Sequence, residues 1–204
     1  TLNGCAQLTE QRVLRLTPDS FVDCADDQDA QTGSAFVESQ FDIRSYTAFS
    51  AVMSFRFHGL DASGGGEGLA LIIQNDPEGA ESIGEGGTRL GYGGVQNSFA
   101  VEFAPRGSSP GSSRLAMTQQ GGEVRILESD VAFDLNDGEL YTAHIGYQGL
   151  SETITVHLTS TSGAMASLSR NLDLAEIVGE QAFVGVSAAT SIYKNIHDIE
   201  ALSL

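Results

Sequence analysis

The chain has 204 residues and a mass of 21.5 kDa, and 41% of its residues are hydrophobic, enough to fill the core of one domain over residues 1–204. Ten basic residues stand against 27 acidic ones, a formal net charge of −17. That charge repels phosphate backbones and anionic headgroups, which excludes nucleic acid as an expected partner. The longest apolar run, Gly68–Ile73, is too short to span a bilayer, so we expect no membrane insertion.

Two cysteines, Cys5 and Cys24, lie near the N-terminus. Their spacing matches no metal-binding motif, and a disulfide between them would contribute about 3 kcal/mol in the chain-entropy model. The alternative is a pair of reduced, buried thiols. We predict the disulfide, which suits an extracellular or cell-surface protein.

Alternating apolar residues mark most of the predicted elements. In chain order, this pattern occurs in Met53–His58, Ser98–Phe103, Tyr141–Tyr147 and Ile154–Leu158. A period of two predicts strands with one face on a core and the other in solvent. Glu67–Gln74 is apolar at successive positions, which predicts a central strand covered on both sides, and Leu172–Val178 is the one predicted helix. Glycine-rich turns separate these segments, so we predict an all-β sandwich or jelly roll of antiparallel strands.

Three segments carry a resemblance to a known family. They are Gly66–Gly79, Leu90–Phe103, and Phe183–Ser191 followed by His197-Asp198-Ile199. In this order and spacing the chain resembles the legume-type (L-type) lectins, and within them the bacterial branch. The resemblance implies a concanavalin-like jelly-roll β-sandwich of two antiparallel sheets, a flat back sheet and a curved front sheet, with sugar-binding loops at one end of the front sheet.

The family's sugar-binding carboxylate corresponds to Glu67. Relatives place an Asp before the matching strand, where it accepts hydrogen bonds from two adjacent sugar hydroxyls. Glu67 offers the same two oxygens one methylene further out. The alternative is a solvated loop carboxylate, and we weigh the two interpretations evenly.

A glycine-rich turn of the family donates backbone N–H groups to the sugar and corresponds to Gly86, Gly87 and Thr88. Glycine leaves the backbone open to a ligand, although an ordinary turn is the alternative. Arg89 and Arg106 are expected as additional side-chain donors, because a guanidinium presents a fork of N–H groups.

The family's metal site is where this sequence departs most. The resemblance implies a transition metal and a calcium ion held by a Glu, an Asp and a following loop that ends in a His. Glu102 keeps the first position, but Ala104 replaces the Asp, and the segment 105–113 contains no acidic, amide or imidazole side chain. Arg114 falls at or near the His position, so we predict a Glu102–Arg114 ion pair in place of metal; the alternative is that Arg114 points to water and Glu102 bonds to backbone or solvent. We therefore expect no cofactor. Calcium is the less favoured alternative, since it needs six to eight oxygen ligands, carboxylates among them.

Other constellations were weighed for catalysis and metal binding. His144 and His157 lie on the polar phase of two strands; two imidazoles could hold a metal, but a solvated sheet face is favoured. The acidic run around Cys24 (Asp23, Asp26, Asp27 and Asp29) is interpreted as surface charge rather than a calcium site. No alternating carboxylate pair suits a retaining glycosidase, so we expect no enzyme.

These observations predict a noncatalytic, metal-independent carbohydrate-binding (lectin-like) module of a secreted or surface bacterial protein. The alternative is a structural or adhesion domain that keeps the lectin fold without its sugar site. A homodimer through the back sheet is a further expectation from the family.

Overall fold

The computed structural model describes residues 1–18, 30–45, 48–59, 65–105, 113–191 and 193–204, which form two antiparallel sheets packed face to face. We call the sheet that carries Glu102 the front sheet. Its strands, in spatial order, are β1 (Leu2–Gly4), β4 (Thr32–Phe36), β14 (Gln181–Ala189), β7 (Gly68–Gln74), β8 (Ser98–Pro105), β9 (Ser113–Gln119) and β10 (Val124–Val131), with β5 (Phe41–Asp42) paired to β14.

The second sheet, the back sheet, has seven strands within the described residues. In spatial order they are β13 (Met165–Asn171), β12 (Thr153–Ser160), β11 (Tyr141–Gln148), β6 (Ala48–His58), β15 (Ile196–Ser203), β3 (Leu14–Thr17) and β2 (Gln7–Leu8). The predicted all-β, two-sheet antiparallel sandwich is therefore confirmed.

The main core lies between the two sheets and is built from the alternating residues that the sequence singled out. On β6, Phe55 and Phe57 are fully buried, and the Phe55 ring lies 5.0 Å from the Phe103 ring of β8, measured between centroids. Such contacts explain why every second residue of these strands is apolar, since only one face of each strand meets the opposite sheet.

Strand β7 is buried along its whole length, as its continuous apolar sequence predicted. One face packs in the main core. The other face packs under the segment 75–97, where Tyr92 and Leu90 cover Ile72 and Ala100 in a second apolar cluster. This covering segment matters for function because it also carries the glycine-rich turn.

The single described α-helix, α1 (Leu174–Val178), begins two residues later than predicted. Asp173 is the reason: its Oδ1 accepts hydrogen bonds from the backbone N–H groups of Ala175 and Glu176, which makes it the N-cap. Across the described ranges, no helix has the length and apolar character that a membrane crossing requires.

Cys5 is disulfide-bonded in the structure, and its backbone N–H donates to the Thr32 carbonyl at 2.9 Å. Cys24, its predicted partner, lies outside the described residues, as do Asp23, Asp26, Asp27 and Asp29. The Cys5–Cys24 pairing therefore stays a prediction.

A buried polar cluster joins β3 to β15 at one end of the back sheet. The Thr17 hydroxyl donates to the Asn195 carbonyl at 2.8 Å, so its oxygen accepts from His197 Nδ1 at 2.7 Å. In this tautomer His197 Nε2 is unprotonated, and its lone pair is buried with no hydrogen-bond partner in the described part of the chain. The neighbouring Asp198 is held differently, by both Arg15 and His58, at 2.8 Å each.

Burial lowers the pKa of His197 to about 3, against an ordinary value of 6.5; the charge of Asp198 opposes this shift, and that of His58 adds to it. Below pH 6.5 the unfolded chain therefore takes up a proton at this imidazole while the folded chain does not. Wherever the unfolded state binds more protons than the folded state, the free energy of unfolding falls as pH decreases. This imidazole consequently stabilises the fold above pH 6.5, and the contribution declines as pH falls toward 3.

We predict that the free energy of unfolding decreases between pH 6.5 and about 5 with a His197-dependent slope of at most about 1.4 kcal/mol per pH unit. Urea titrations across this range measure it. His197→Gln should remove that slope whatever its effect on baseline stability, whereas His144→Gln, at an exposed position, should keep it. An unchanged slope in His197→Gln would contradict the assignment.

Candidate functional site

The Glu67 end of the front sheet gathers three segments that are distant in sequence. Glu67 is half-buried and directly precedes β7. A Cβ added to Gly66 would lie 2.8 Å from Thr190 Cγ2 and 3.1 Å from Asn195 Cβ, both in the loop between β14 and β15. A Cβ added to Gly65 would meet the Asn136 amide group at 2.5–2.7 Å. The chain before Glu67 is therefore wedged between two loops that only glycines can approach so closely.

Two asparagines, Asn136 and Asn195, lock these loops together. Asn195 Nδ2 donates to Asn136 Oδ1 at 2.7 Å, and the Asn136 backbone N–H donates to Asp134 Oδ1 at 3.0 Å. Asn195 Oδ1 is buried and has no hydrogen-bond partner among the residues that the structure describes. Sequence reasoning missed both asparagines, because 136–138 reads as an ordinary turn and nothing local links it to a residue 59 positions away.

The turn at Gly86–Thr88 lies at the same end of the sheet. A Cβ on Gly86 would lie 2.4 Å from Thr32 Oγ1 and 3.7 Å from Ala189 Cβ, and Ala189 is directly opposite Gly68 in the sheet. Gly87, at φ +59°, opens a 3-10 turn and has free space where a side chain would project. The structure therefore brings this backbone to the end of the sheet that Glu67 occupies.

Arg89 leaves the turn in another direction. Its Nη2 forms an ion pair with Glu123 Oε1 at 2.8 Å, on the connection between β9 and β10. That connection follows Gln119, which is opposite Phe99, so it lies at the far end of the front sheet from Glu67. Arg89 is thus not brought together with Glu67, because a nearer carboxylate holds its guanidinium. Arg106 lies outside the described residues.

Glu102 is the centre of a buried polar cluster on the outer face of the front sheet, beneath the covering segment. The residue is 3% exposed. Arg114 Nη2 lies 2.7 Å from Glu102 Oε2, so the structure contains the ion pair expected from the sequence. The Tyr92 hydroxyl donates to Glu102 Oε1 and lies 2.7 Å from Thr118 Oγ1. Burial and the adjacent Glu102 carboxylate raise the pKa of Tyr92 well above its ordinary value, so the phenol remains a donor.

The donor set around Glu102 does not fit a divalent cation. Both carboxylate oxygens already have donors, one of them a guanidinium nitrogen at 2.7 Å, and Ala104 supplies no oxygen where the family has its Asp. Calcium needs six to eight oxygens, and a positive charge at contact distance repels any metal ion. Over the described ranges, no group of three or more His, Cys, Asp or Glu side chains could hold a metal.

Comparison with known proteins identifies the architecture. The family model for the legume lectin domain matches residues 1–204. The chain is 32% identical over 167 residues, 76% of its length, to the L-type lectin-domain containing receptor kinase VIII.1 of Arabidopsis thaliana, of which the match covers 23%. It is 33% identical over 67 residues to the mannose/glucose-specific lectin Cramoll of Cratylia mollis, covering 33% of this chain and 29% of that protein. The chain thus spans less than a third of these curated relatives.

Among solved structures, the lectin from Bauhinia forficata in complex with GalNAc superimposes with a TM-score of 0.80 and 23% identity, covering 99% of this chain and 90% of that one. The winged bean acidic lectin complexed with methyl-α-D-galactose gives the same TM-score and identity, with coverages of 99% and 89%. At this level of identity the likeness establishes the fold, a legume-lectin (concanavalin-like) sandwich.

We predict that Arg114→Met destabilises the fold by about 3–5 kcal/mol, because it leaves the Glu102 carboxylate buried without its cation. Adding Glu102→Gln should recover part of this loss, since a neutral amide does not need a counter-charge. Denaturant unfolding of the two single variants and the double variant measures the coupling.

The matched control is Arg89→Met, which breaks the Arg89–Glu123 pair; both of those side chains are more than a third exposed. Exposed ion pairs contribute about 0–1 kcal/mol, so this variant should change stability by no more than that. Equal losses in Arg114→Met and Arg89→Met would show that burial of Glu102 does not create the requirement for Arg114.

Proposed function

Because this chain belongs to the legume lectin family, we propose that it is a noncatalytic carbohydrate-binding module whose site lies at the Glu67 end of the front sheet. The observation that carries the proposal is convergence: the Glu67 segment, the Gly86–Thr88 turn and the paired loops of Asn136 and Asn195 meet at one end of the sheet. A shallow surface formed by three loops suits a saccharide, which offers many hydroxyls and little apolar surface.

Glu67 is the anchor in this proposal. An ionised carboxylate accepts hydrogen bonds through both oxygens, and two adjacent hydroxyls of a sugar ring present two donors at matching separation. Opposite it, the Gly86–Thr88 turn contributes backbone N–H groups, because the first amides of a helical turn have no acceptor within that turn. With free space at Gly87, a sugar oxygen can approach these amides directly.

Two further residues extend the surface. Asn136 is partly exposed and lies against Gly65, so its amide is one candidate to supply the contact that the family's missing Asn would make. Tyr193 is 39% exposed in the loop between β14 and β15, the loop whose Thr190 and Asn195 pack beside Gly66. An exposed phenol ring offers an apolar face for the C–H side of a sugar and a hydroxyl at its edge.

In this proposal binding does not depend on metal. The Arg114 guanidinium neutralises Glu102, and Tyr92, bonded to the same carboxylate, holds the covering segment that leads into the Gly86–Thr88 turn. The role that divalent ions play in the family, fixing the loops beside the sugar, is assigned here to a side-chain network.

We further propose that this is a secreted or surface module of a bacterial protein. The disulfide-bonded state of Cys5 supports an oxidising compartment, where such bonds persist. A homodimer through the back sheet is part of the same proposal. Pairing would place several weak sugar sites on one particle, and multivalency raises the avidity of such sites.

We predict that Glu67→Ala weakens binding to the preferred glycan by roughly 10- to 100-fold, since hydrogen bonds to a charged group contribute about 1.5–3 kcal/mol each. A glycan array that includes GalNAc and methyl-α-D-galactose identifies the ligand, and calorimetry then compares the variants. Glu81→Ala makes the same change in charge at an exposed position beyond the far end of β7 and should bind normally.

If neither the natural chain nor either variant binds any glycan on the array, the alternative of a structural or adhesion domain on the lectin scaffold is favoured. If Glu67→Ala and Glu81→Ala bind equally well, the site lies elsewhere on the molecule.

We predict that a chelator leaves both the thermal unfolding midpoint and glycan binding unchanged, because no bound ion contributes to the folded state. A ligand that binds only the native state at 100 times its Kd stabilises by about 2.7 kcal/mol, so a structural metal would be seen as a clear drop in the midpoint. A drop that added calcium or manganese reverses would overturn the metal-independent proposal.

A further inference from the structure

The outer face of the back sheet carries a histidine pair that the sugar site does not use. His144 on β11 and His157 on β12 are directly opposite each other in the antiparallel register, and both are exposed. Directly opposed residues have Cβ atoms about 4.5–5.5 Å apart on the same face of the sheet. Imidazole nitrogens bind a metal at about 2.0 Å, so one ion between the two rings spans about 4 Å from nitrogen to nitrogen. The spacing of the pair therefore suits chelation of one ion.

A third ligand lies diagonally across the neighbouring strand. Met165 on β13 is directly opposite Thr159, two residues from His157 on the same face, and it is 76% exposed. Diagonal neighbours are about 7–8 Å apart at Cα, within reach of a long side chain, and Met is flexible and unbranched. A hollow of about 390 Å³ separates His157 from Met165, and its lining also includes Leu158, Thr159, Ala166 and Ser167. His144 does not line it, so Met165 must turn toward the histidine pair to reach an ion held between the two rings.

The surroundings favour a cation. The chain has a net charge of −17, and the outward positions of these three strands carry no charged side chain. No Lys or Arg on this face of the three strands therefore repels a cation from the two imidazole rings. These positions are Thr142, His144, Gly146 and Gln148 on β11, Thr153, Thr155, His157 and Thr159 on β12, and Met165, Ser167, Ser169 and Asn171 on β13. The overall negative field of the molecule raises the local concentration of cations at this neutral surface.

We propose that His144, His157 and Met165 form a copper-binding site on the outer face of the back sheet. Imidazole binds copper, nickel and zinc, and Cu²⁺ is bound most tightly of the divalent first-row ions. A thioether is a soft ligand that selects Cu⁺, so Met165 adds a preference for the reduced ion. Solvent completes the coordination. Nothing in this proposal depends on sugar binding, since the site is on the other sheet from Glu67. It does require that a homodimer through the back sheet leave the outer face of β11, β12 and β13 open.

The test is calorimetric titration of the untagged chain with Cu²⁺, Ni²⁺ and Zn²⁺ at neutral pH, together with electron paramagnetic resonance of the Cu²⁺ complex. We expect one Cu²⁺ per chain, nitrogen hyperfine structure from imidazole, and weaker binding of Ni²⁺ and Zn²⁺. His144→Gln and His157→Gln should each weaken Cu²⁺ binding at least about tenfold, the scale on which substitutions at metal sites act. The double variant should lose it, although His58 and His197 remain.

Two variants sharpen the result. His58→Gln removes an imidazole outside the pair and should leave Cu²⁺ binding intact, while Met165→Leu should weaken Cu⁺ binding, measured against a Cu⁺ chelator, and spare Cu²⁺. Circular dichroism checks that each variant is folded. The proposal is overturned if the natural chain gives no imidazole hyperfine signal, if the double variant binds Cu²⁺ as well as the natural chain does, or if His58→Gln abolishes binding.

Discussion

The buried carboxylate of Glu102 fixes the covering segment 75–97 against the front sheet. A charge 3% exposed beneath an apolar segment is costly unless donors surround it, and Arg114 and Tyr92 supply them. Because Tyr92 belongs to the covering segment and Arg114 to β9, the carboxylate ties the sheet to its cover. The Gly86–Thr88 turn precedes Tyr92 by only a few residues, so its position depends on the same contact.

Close backbone approach is the second requirement of the Glu67 end of the front sheet, and glycine meets it. Gly68 has φ +125°, and a Cβ there would lie 2.4 Å from the Phe103 carbonyl oxygen, a contact that no side chain tolerates. Any larger residue would push β7 away from β8 and displace the adjoining Glu67. The anchor is thus positioned by its neighbour's lack of a side chain, while the Asn136–Asn195 bond fixes the loops on either side.

Sequence reasoning succeeded where a local pattern reflects a local cause. Alternation predicted β11 and β12 because each residue's face follows from its parity. The Glu102–Arg114 pair was expected from the family resemblance, which places Arg114 at the His position, and the structure has the two side chains on adjoining strands. It could not foresee contacts between distant parts of the chain. Arg89 was expected as an additional donor to the sugar, and that role stays a prediction; the structure pairs its guanidinium with Glu123 on the connection between β9 and β10. No sequence pattern indicated the Asn136–Asn195 hydrogen bond, because only the folded sandwich brings those two loops together.

The two sheets divide the molecule into surfaces of different chemistry. At the Glu67 end of the front sheet, loops present a carboxylate acceptor together with amide groups and backbone N–H donors. The outer face of β11, β12 and β13 is instead a regular, uncharged array with two imidazoles opposed on it. Between them lies a core of tightly packed apolar side chains. A polar link does reach the back sheet from the Glu67 end, since the Thr17 hydroxyl donates to the Asn195 carbonyl and contacts His197 on β15. The two sites that we propose therefore lie on different sheets and differ in chemistry, while the loop beside Gly66 is coupled to β3 and β15.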